Sequence, residues 1–276
     1  MAGMLYLVPT PIGNLGDISK RCRETLTEAD FIAAEDTRVS LKLLNYLELK
    51  KPMVSYYEHN KVESGKRIVE RILAGETCAL VTDAGSPAIS DPGEDLVALC
   101  AENGITVSAI PGPCAIITAL SISGLPTGRF TFEGFLSTSK KSRQEHLQDL
   151  KDERRTMIFY EAPHKLKHTL EDLAAAFGGE RRISLCRELT KLHEEVIRTT
   201  LDGAIRLYEE QPPRGEYVLV LEGAAEPAAE ELTLEDALTQ VRTLMESGLS
   251  RKDAVKQTAV ATGFPKNVLY DAALKD

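Results

Sequence analysis

The 276-residue chain contains no apolar run near the ~20 residues that a membrane span requires. Its amino terminus carries neither a basic segment nor an apolar signal core, so export is not expected and a cytoplasmic location is. Cysteine is sparse. Cys22, Cys78, Cys100, Cys114 and Cys186 stand far apart without a CxxC pair, which excludes a disulfide framework or a thiolate zinc site and suits a reducing compartment. HExxH is absent too. His164 and His168 share the i, i+4 spacing of zinc ligands, but no third ligand follows at suitable spacing, so no metal is expected and both read as exposed helix-surface histidines. Neither GxGxxG nor GxxxxGK[ST] occurs, which excludes a dinucleotide fingerprint and a P-loop. Gly13 and Gly16 give only GxxG, and prolines precede them. A ligand here would be held by backbone and shape.

Positive charge is also in short supply. The formal net charge of −9 argues against attraction of nucleic acid by the whole surface, leaving room only for a local basic face. Lys140, Lys141, Arg143, Lys151, Arg154, Arg155, Lys165 and Lys167 form such a candidate, interleaved with five acids. A solvated helix face and a binding patch fit it about equally.

What is present is an alternation. The runs "MLYLV", "FIAAE", "MVSYY", "TCALVTD" and "ITVSAI" read as strands. Between them, "VESGKRIVERILAG" has apolar residues near helical spacing, and "PGEDLVALCAENG" has proline and glycine as start and stop signals. This predicts an α/β layer with a mainly parallel sheet. "SGLPTGRFTFEGFL" interrupts the pattern and reads as a domain junction. Beyond it come strands "FTFEGF", "TMIFYE", "RISLCRE", "HEEVIRTTL" and "EYVLVLEG", with helices "SRQEHLQDLKDE" and "PHKLKHTLEDLAAAF". The direct strand-to-strand step after Arg187 predicts a mixed sheet. "GAAEPAAEELTLED" reads as a linker, followed by three short helices resembling a helix-turn-helix unit, with Ser250 as an N-cap. A helical cap packed on the body is the other reading of that region. The expected organisation is an α/β domain over 1–124, a second α/β domain with a mixed sheet over 125–224, and a linker plus helical extension over 225–276.

Ligands of such layers bind beyond the carboxyl ends of the strands. Four strand-end loops are rich in proline or glycine: "PTPIGNLGD", "DAGSPAISDPG", "PGPCAIITAL" and "APHKL". Prolines fix the backbone and glycines admit close approach, so such loops can present N–H and C=O groups in set directions. Their recurrence at equivalent positions predicts one shared ligand site. Cys114 lacks a matched histidine and reads as a small pocket-lining residue.

The motifs "VPTPIGNLGDIS", "AEDTR", "VTDAGSPAISDPG", "IPGPCA", "FYEAPHKL" and "RELTKLHEE" resemble those of the ribosomal RNA small subunit methyltransferase I family, in the class III S-adenosylmethionine methyltransferases of the tetrapyrrole methylase superfamily. The resemblance runs over essentially the whole chain. It implies a cofactor cleft between two α/β domains, S-adenosylmethionine as cofactor, and 2′-O-methylation of a cytidine in the decoding region of small-subunit (16S) ribosomal RNA, free or in the 30S particle. It also implies a homodimer. By the same resemblance, Pro11, Ile12 and Gly13 match the glycine-rich first loop. Gly85, Ser86 and Pro87 match the Gly-Asp-Pro loop, with Ser86 where aspartate is usual and Asp83 as a replacement carboxylate, and Ile89 further along the loop is expected to bind the cofactor too. Cys114 and Ala115 match the Pro-Gly-x-(Ser/Thr)-(Ala/Ser) segment. Tyr160, Glu161 and Ala162 match a second-domain stretch in which Glu161 replaces Met, and Gly215, Glu216 and Tyr217 match a last backbone contact.

A sulfonium methyl donor needs in-line positioning above all. The acceptor hydroxyl must lose a proton, which a base can assist. Asp36 or Glu35 is expected to take or orient it, with Asp83 next. The competing reading has Asp36 capping the following helix while Arg38 pairs with a carboxylate. Arg38 and Lys165 are expected to meet RNA phosphates. The alternatives to an RNA methyltransferase are a methyltransferase of a tetrapyrrole or other small molecule, and a non-catalytic RNA-binding protein that would bind no cofactor.

Overall fold

The computed structural model describes residues 3–226 and 232–274, and the chain divides into two compact units, Met1–Ala224 and Ala225–Asp276. Strands β2 (Phe31–Ala34) and β4 (Cys78–Val81) are buried at every position, as expected of parallel strands covered on both faces. With β1 (Met4–Leu7), β3 (Met53–Ser55) and β5 (Thr106–Ala109) they form a parallel sheet of order β3-β2-β4-β1-β5. The helices are α1 (Lys20–Glu28), α2 (Thr37–Tyr46), α3 (Lys61–Leu73) and α4 (Gly93–Glu102). Alternation along the strands divides the core. Leu5, Phe31, Ala33 and Leu80 pack with Ile68, Ile72 and Leu96 of α3 and α4. Ile32, Ala34, Ala79 and Val81 pack with Leu26 and Leu44 of α1 and α2. Helices therefore cover both faces. The connections leaving the neighbours β1 and β4 run in opposite directions, which opens a crevice at their carboxyl ends.

Helix α5 (Ala115–Ser123) ends at Gly124, whose φ of 78° is the left-handed stop glycine favours. The second sheet follows: β6 (Phe130–Phe135), β7 (Thr156–Glu161), β8 (Arg182–Arg187), β9 (Glu195–Thr200) and β10 (Tyr217–Leu221), in the order β6-β7-β10-β8-β9. Only β6 and β7 are parallel; the other pairs are antiparallel. The sheet is mixed, as expected from the strand-to-strand step after Arg187. Helices α6 (Lys140–Asp149), α7 (Leu166–Phe177) and α8 (Leu201–Glu210) cover one face around Phe159, Leu170 and Leu219. Helix α5 covers the other through Ile116, Ala119 and Leu120 against Ile158, Cys186 and Val220.

In the second unit, α9 (Leu234–Glu246), α10 (Arg251–Thr262) and α11 (Lys266–Ala273) pack around Val241, Val255 and Leu269. Ser250 caps α10 by accepting the N–H of Asp253. Three readings change. The expected linker over 223–236 overlaps a capping box in which Thr233 and Asp236 start α9; its residues 227–231 lie outside the described set. The helix expected from Pro163 begins at Leu166, so His164 stands in the preceding turn and the i, i+4 pair of histidines does not share a helix. Helix α6 begins two residues earlier than its expected Ser142 and ends at Asp149, with the buried Leu150 as its C-cap.

Candidate active site

The proline-rich loops are tied to one another at the carboxyl ends of the first sheet. Thr10 and Gly85 exchange both backbone hydrogen bonds, at 2.9 and 3.0 Å. The Thr10 hydroxyl donates to the Thr82 carbonyl at 3.1 Å, and the Ser86 hydroxyl donates to the Pro113 carbonyl at 2.9 Å. The position that the resemblance marked as an anomaly, Ser86, is thus a strut between two loops. Gly85 has φ 89°, a conformation that favours glycine, and a Cβ there would stand 3.2 Å from Ile12 Cγ2, close enough to press on it.

The loop 84–93 is strained and pinned. Ala88 and Ser90 both adopt φ 67°, a conformation that non-glycine residues avoid at a cost on the order of 1 kcal/mol each. Asp91 holds them there. Its Oδ1 accepts the N–H groups of Ala88 (3.1 Å) and Gly93 (2.8 Å), and its Oδ2 accepts that of Ile89 (3.2 Å). A similar pair of left-handed residues, Glu188 and Thr190, stands after β8. Glu188 Oε1 accepts the N–H of Glu216 (3.0 Å) and the Lys191 Nζ (2.9 Å), and Glu216 Oε2 accepts the same Nζ at 2.7 Å.

Between these loops and the second sheet lies a cavity of about 550 Å³, within the usual range of small-molecule and cofactor sites. The sequence-expected residues Ile12, Asp83, Gly85, Ser86, Ile89, Cys114, Ala115, Tyr160, Glu161, Ala162, Glu216 and Tyr217 line it, as does Glu35. Pro11, Gly13 and Gly215 do not. Gly13 instead receives Lys191, whose Cγ would be 2.5 Å from a Cβ at that position, and Gly215 similarly receives Glu188. Asp36, Arg38 and Lys165 also lie outside the lining. Sequence reasoning missed Thr82, Ala84, Ser90, Asp91, Phe135, Pro163, Cys186, Leu189, Lys191 and Val218. Asp91 and Lys191 were within quoted motifs; Cys186 and Val218 are strand residues with no local signal.

The carboxylates divide sharply. Asp36 is the N-cap of α2 and accepts the N–H of Arg38 at 2.8 Å. It also pairs with that side chain through Nε (3.0 Å) and Nη2 (2.6 Å). The Arg38 hydrogen bonds hold its carboxyl down at about 2. Asp36 is therefore a fully ionised, occupied cap, and the competing reading describes its geometry. Glu35 accepts the Thr82 hydroxyl at 2.8 Å, which orients it along the cavity wall. Asp83 accepts the N–H of Asp36 at 3.1 Å, and its carboxyl is raised above the ordinary value, mainly by burial. A raised carboxyl facing a cavity is a better proton acceptor than the ionised, occupied Asp36 cap. Glu161 is buried and committed: it accepts the N–H of Ala162 at 2.9 Å and the hydroxyl of Thr169, which also binds Arg143 Nη2 at 2.8 Å. Tyr160 is held as the neutral phenol by burial, which raises it.

The cavity suits a methyl donor with a nucleoside and an amino acid portion. Ile12, Ile89, Leu189 and Val218 give apolar walls. Cys114 precedes α5 without a side-chain cap bond, leaving first-turn N–H groups for a ligand.

Residues 4–205 match the model of the Tetrapyrrole (Corrin/Porphyrin) Methylases, and residues 231–276 match that of the RsmI C-terminal HTH domain. Among solved structures, the chain is similar to a diphthine synthase (TM-score 0.61, 16% identity, 80% of this chain and 90% of that one). It is also similar to a uroporphyrin-III C-methyl transferase from Thermus thermophilus complexed with S-adenyl homocysteine (TM-score 0.57, 16% identity, 80% and 97%). Fold and cleft together define a tetrapyrrole methylase-like protein. Sequence narrows this further. Ribosomal RNA small subunit methyltransferase I of Synechocystis sp. is 48% identical over 273 residues, covering 99% of this chain and 98% of its own length. That of Bacillus subtilis is 46% identical over 274 residues, covering 98% and 94%. The chain belongs to the ribosomal RNA small subunit methyltransferase I family.

Proposed function

We propose that this chain is an S-adenosylmethionine-dependent methyltransferase of small-subunit ribosomal RNA, acting on the 2′-hydroxyl of a cytidine in the decoding region. The observation that carries it is the convergence of four strand-end loops on one cavity that Glu35 and Asp83 line, in a member of this family. When bound, S-adenosylmethionine supplies a methyl group already activated by its sulfonium. The chain supplies the rest. The Gly85–Ser86 turn, Cys114–Ala115 and Tyr160–Ala162 hold the donor. Asp83 Oδ receives the acceptor hydroxyl proton, Glu35 helps orient the hydroxyl, and the two sheets exclude bulk water. Arg38 and Lys165 contact phosphates at the mouth. The division into lobes at 124/125, a homodimeric state and a cytoplasmic location belong to the same proposal.

The test incubates purified protein and methyl-labelled donor with small ribosomal subunits, free ribosomal RNA and a precorrin-type tetrapyrrole, then maps the label by nuclease digestion and mass spectrometry. Label in a 2′-O-methylcytidine of the decoding region is expected. Label on a base, or on the tetrapyrrole alone, contradicts the proposal.

A further inference from the structure

Phe135 is an apolar side chain in an unusual place: it lines the cavity yet remains 57% exposed. It ends β6, one of the two edge strands of the second sheet. A regular strand would send Phe132 and Phe135, three residues apart, to opposite faces. Here the pairing with β7 shifts register between Phe132 and Gly134, and Gly134 takes φ 63°. Such a bulge re-aims side chains. The result is that both rings meet Tyr160: Phe132 edge-on at 5.0 Å between centroids, Phe135 tilted at 5.5 Å. The fold therefore spends a bulge and a left-handed glycine to bring Phe135 to the cavity rim and back it with Tyr160, while leaving most of its surface in water.

Exposed cations follow on the same connection. Lys140 and Lys141 are exposed at the start of α6, on the same connection, and Lys141 has only a 3.8 Å exposed contact with Glu145. An open aromatic face with exposed lysines five and six residues on suits single-stranded nucleic acid, with the base on the ring and the phosphates on the cations. A ring meant for the donor's own nucleoside would be expected inside the walls rather than on the edge strand.

We infer that Phe135 stacks against a nucleobase of the single-stranded RNA segment that carries the acceptor ribose. This rests on the ribosomal RNA reading above. The test compares wild type, Phe135→Ala, Phe135→Leu and Phe135→Trp in two measurements: methylation kinetics on small ribosomal subunits, and calorimetric titration with S-adenosylhomocysteine. Phe135→Ala is expected to raise KM for the subunit by roughly tenfold, in the range of one lost base–aromatic stack, while titrating within about twofold of wild type. Phe135→Trp should restore KM; Phe135→Leu, which keeps apolar bulk without a ring face, should not. An unchanged KM in Phe135→Ala, a wild-type KM in Phe135→Leu, or an equal loss of S-adenosylhomocysteine affinity overturns the inference and leaves the RNA reading standing. Absence of subunit methylation by wild type overturns both.

Discussion

On the first-sheet side of the cleft, the loops are fixed by hydrogen bonds to main-chain groups: the Thr10–Gly85 bridge, the Ser86 strut to Pro113, and the strained loop 84–93 held by Asp91. On the second-sheet side the lining comes from side chains: Tyr160, Glu161 and Phe135 near the edge strand, Lys191 and Glu216 across from Gly13. Parallel strands explain the first. Their carboxyl ends all point one way and deliver several loops to one edge, where proline and glycine set backbone direction. Mixed strands explain the second. Antiparallel neighbours bring loop ends and strand starts together, so Glu161 of β7 and Tyr217 of β10 are paired residues. The contrast is between a side whose loops are locked to one another and a side that presents side chains from its strands and their ends.

Substitutions can break or sharpen this contrast. The largest effect is expected at Asp83. Asp83→Asn should lower kcat by about 10²–10⁴-fold, the worth of a positioned general base, with little change in S-adenosylhomocysteine affinity. Its carboxyl is raised, and the base must be ionised. Wild-type kcat should therefore fall as pH drops, with a limb above the ordinary aspartate value of about 3.9, and this limb should vanish in Asp83→Asn. A pH-independent wild-type rate would remove Asp83 as the base.

Next comes Asp91→Ala, which frees three N–H groups and leaves Ala88 and Ser90 without their clamp. A stability loss of about 1–3 kcal/mol is expected from the unpaired groups, measured by urea unfolding, with donor affinity weakened on the order of tenfold. Asp91→Asn, which keeps the Oδ1 acceptor, should fall between. If Asp91→Ala binds the donor like wild type, the first lobe does not depend on its loop geometry. Lys191→Met should have a smaller effect, since its partly exposed ion pairs with Glu188 and Glu216 are worth little. A two- to threefold rise in donor KM, roughly, is expected. The smallest effect on turnover is expected at Asp36→Ala: unchanged kcat and a modest fall in Tm from the lost cap of α2. A collapse of kcat there would move the base from Asp83 to Asp36.

Much of this was legible in the sequence. The ten strands among the described residues each overlap a run read as a strand, and the four proline- and glycine-rich loops marked the cavity, because local chemistry fixes strand ends and turns. What stayed hidden depends on distance in space. Lys191 reaches over Gly13, the Asp83 carboxylate meets the Asp36 N–H across 47 positions, and Val218 enters the lining from inside a strand. Phe135 was hidden for another reason. Its period-two position gives the wrong face, and only the bulge at Gly134 turns it to the cleft.

The central claim is that two unlike lobes form a single donor site. Calorimetric titration of S-adenosylhomocysteine into wild type, Gly85→Val and Ala162→Trp tests it most directly, because the two substitutions fill the cavity from opposite sheets. One site per chain in wild type is predicted, with affinity reduced about a hundredfold or more in each variant. Wild-type affinity in either variant, provided that variant remains folded, would contradict the account.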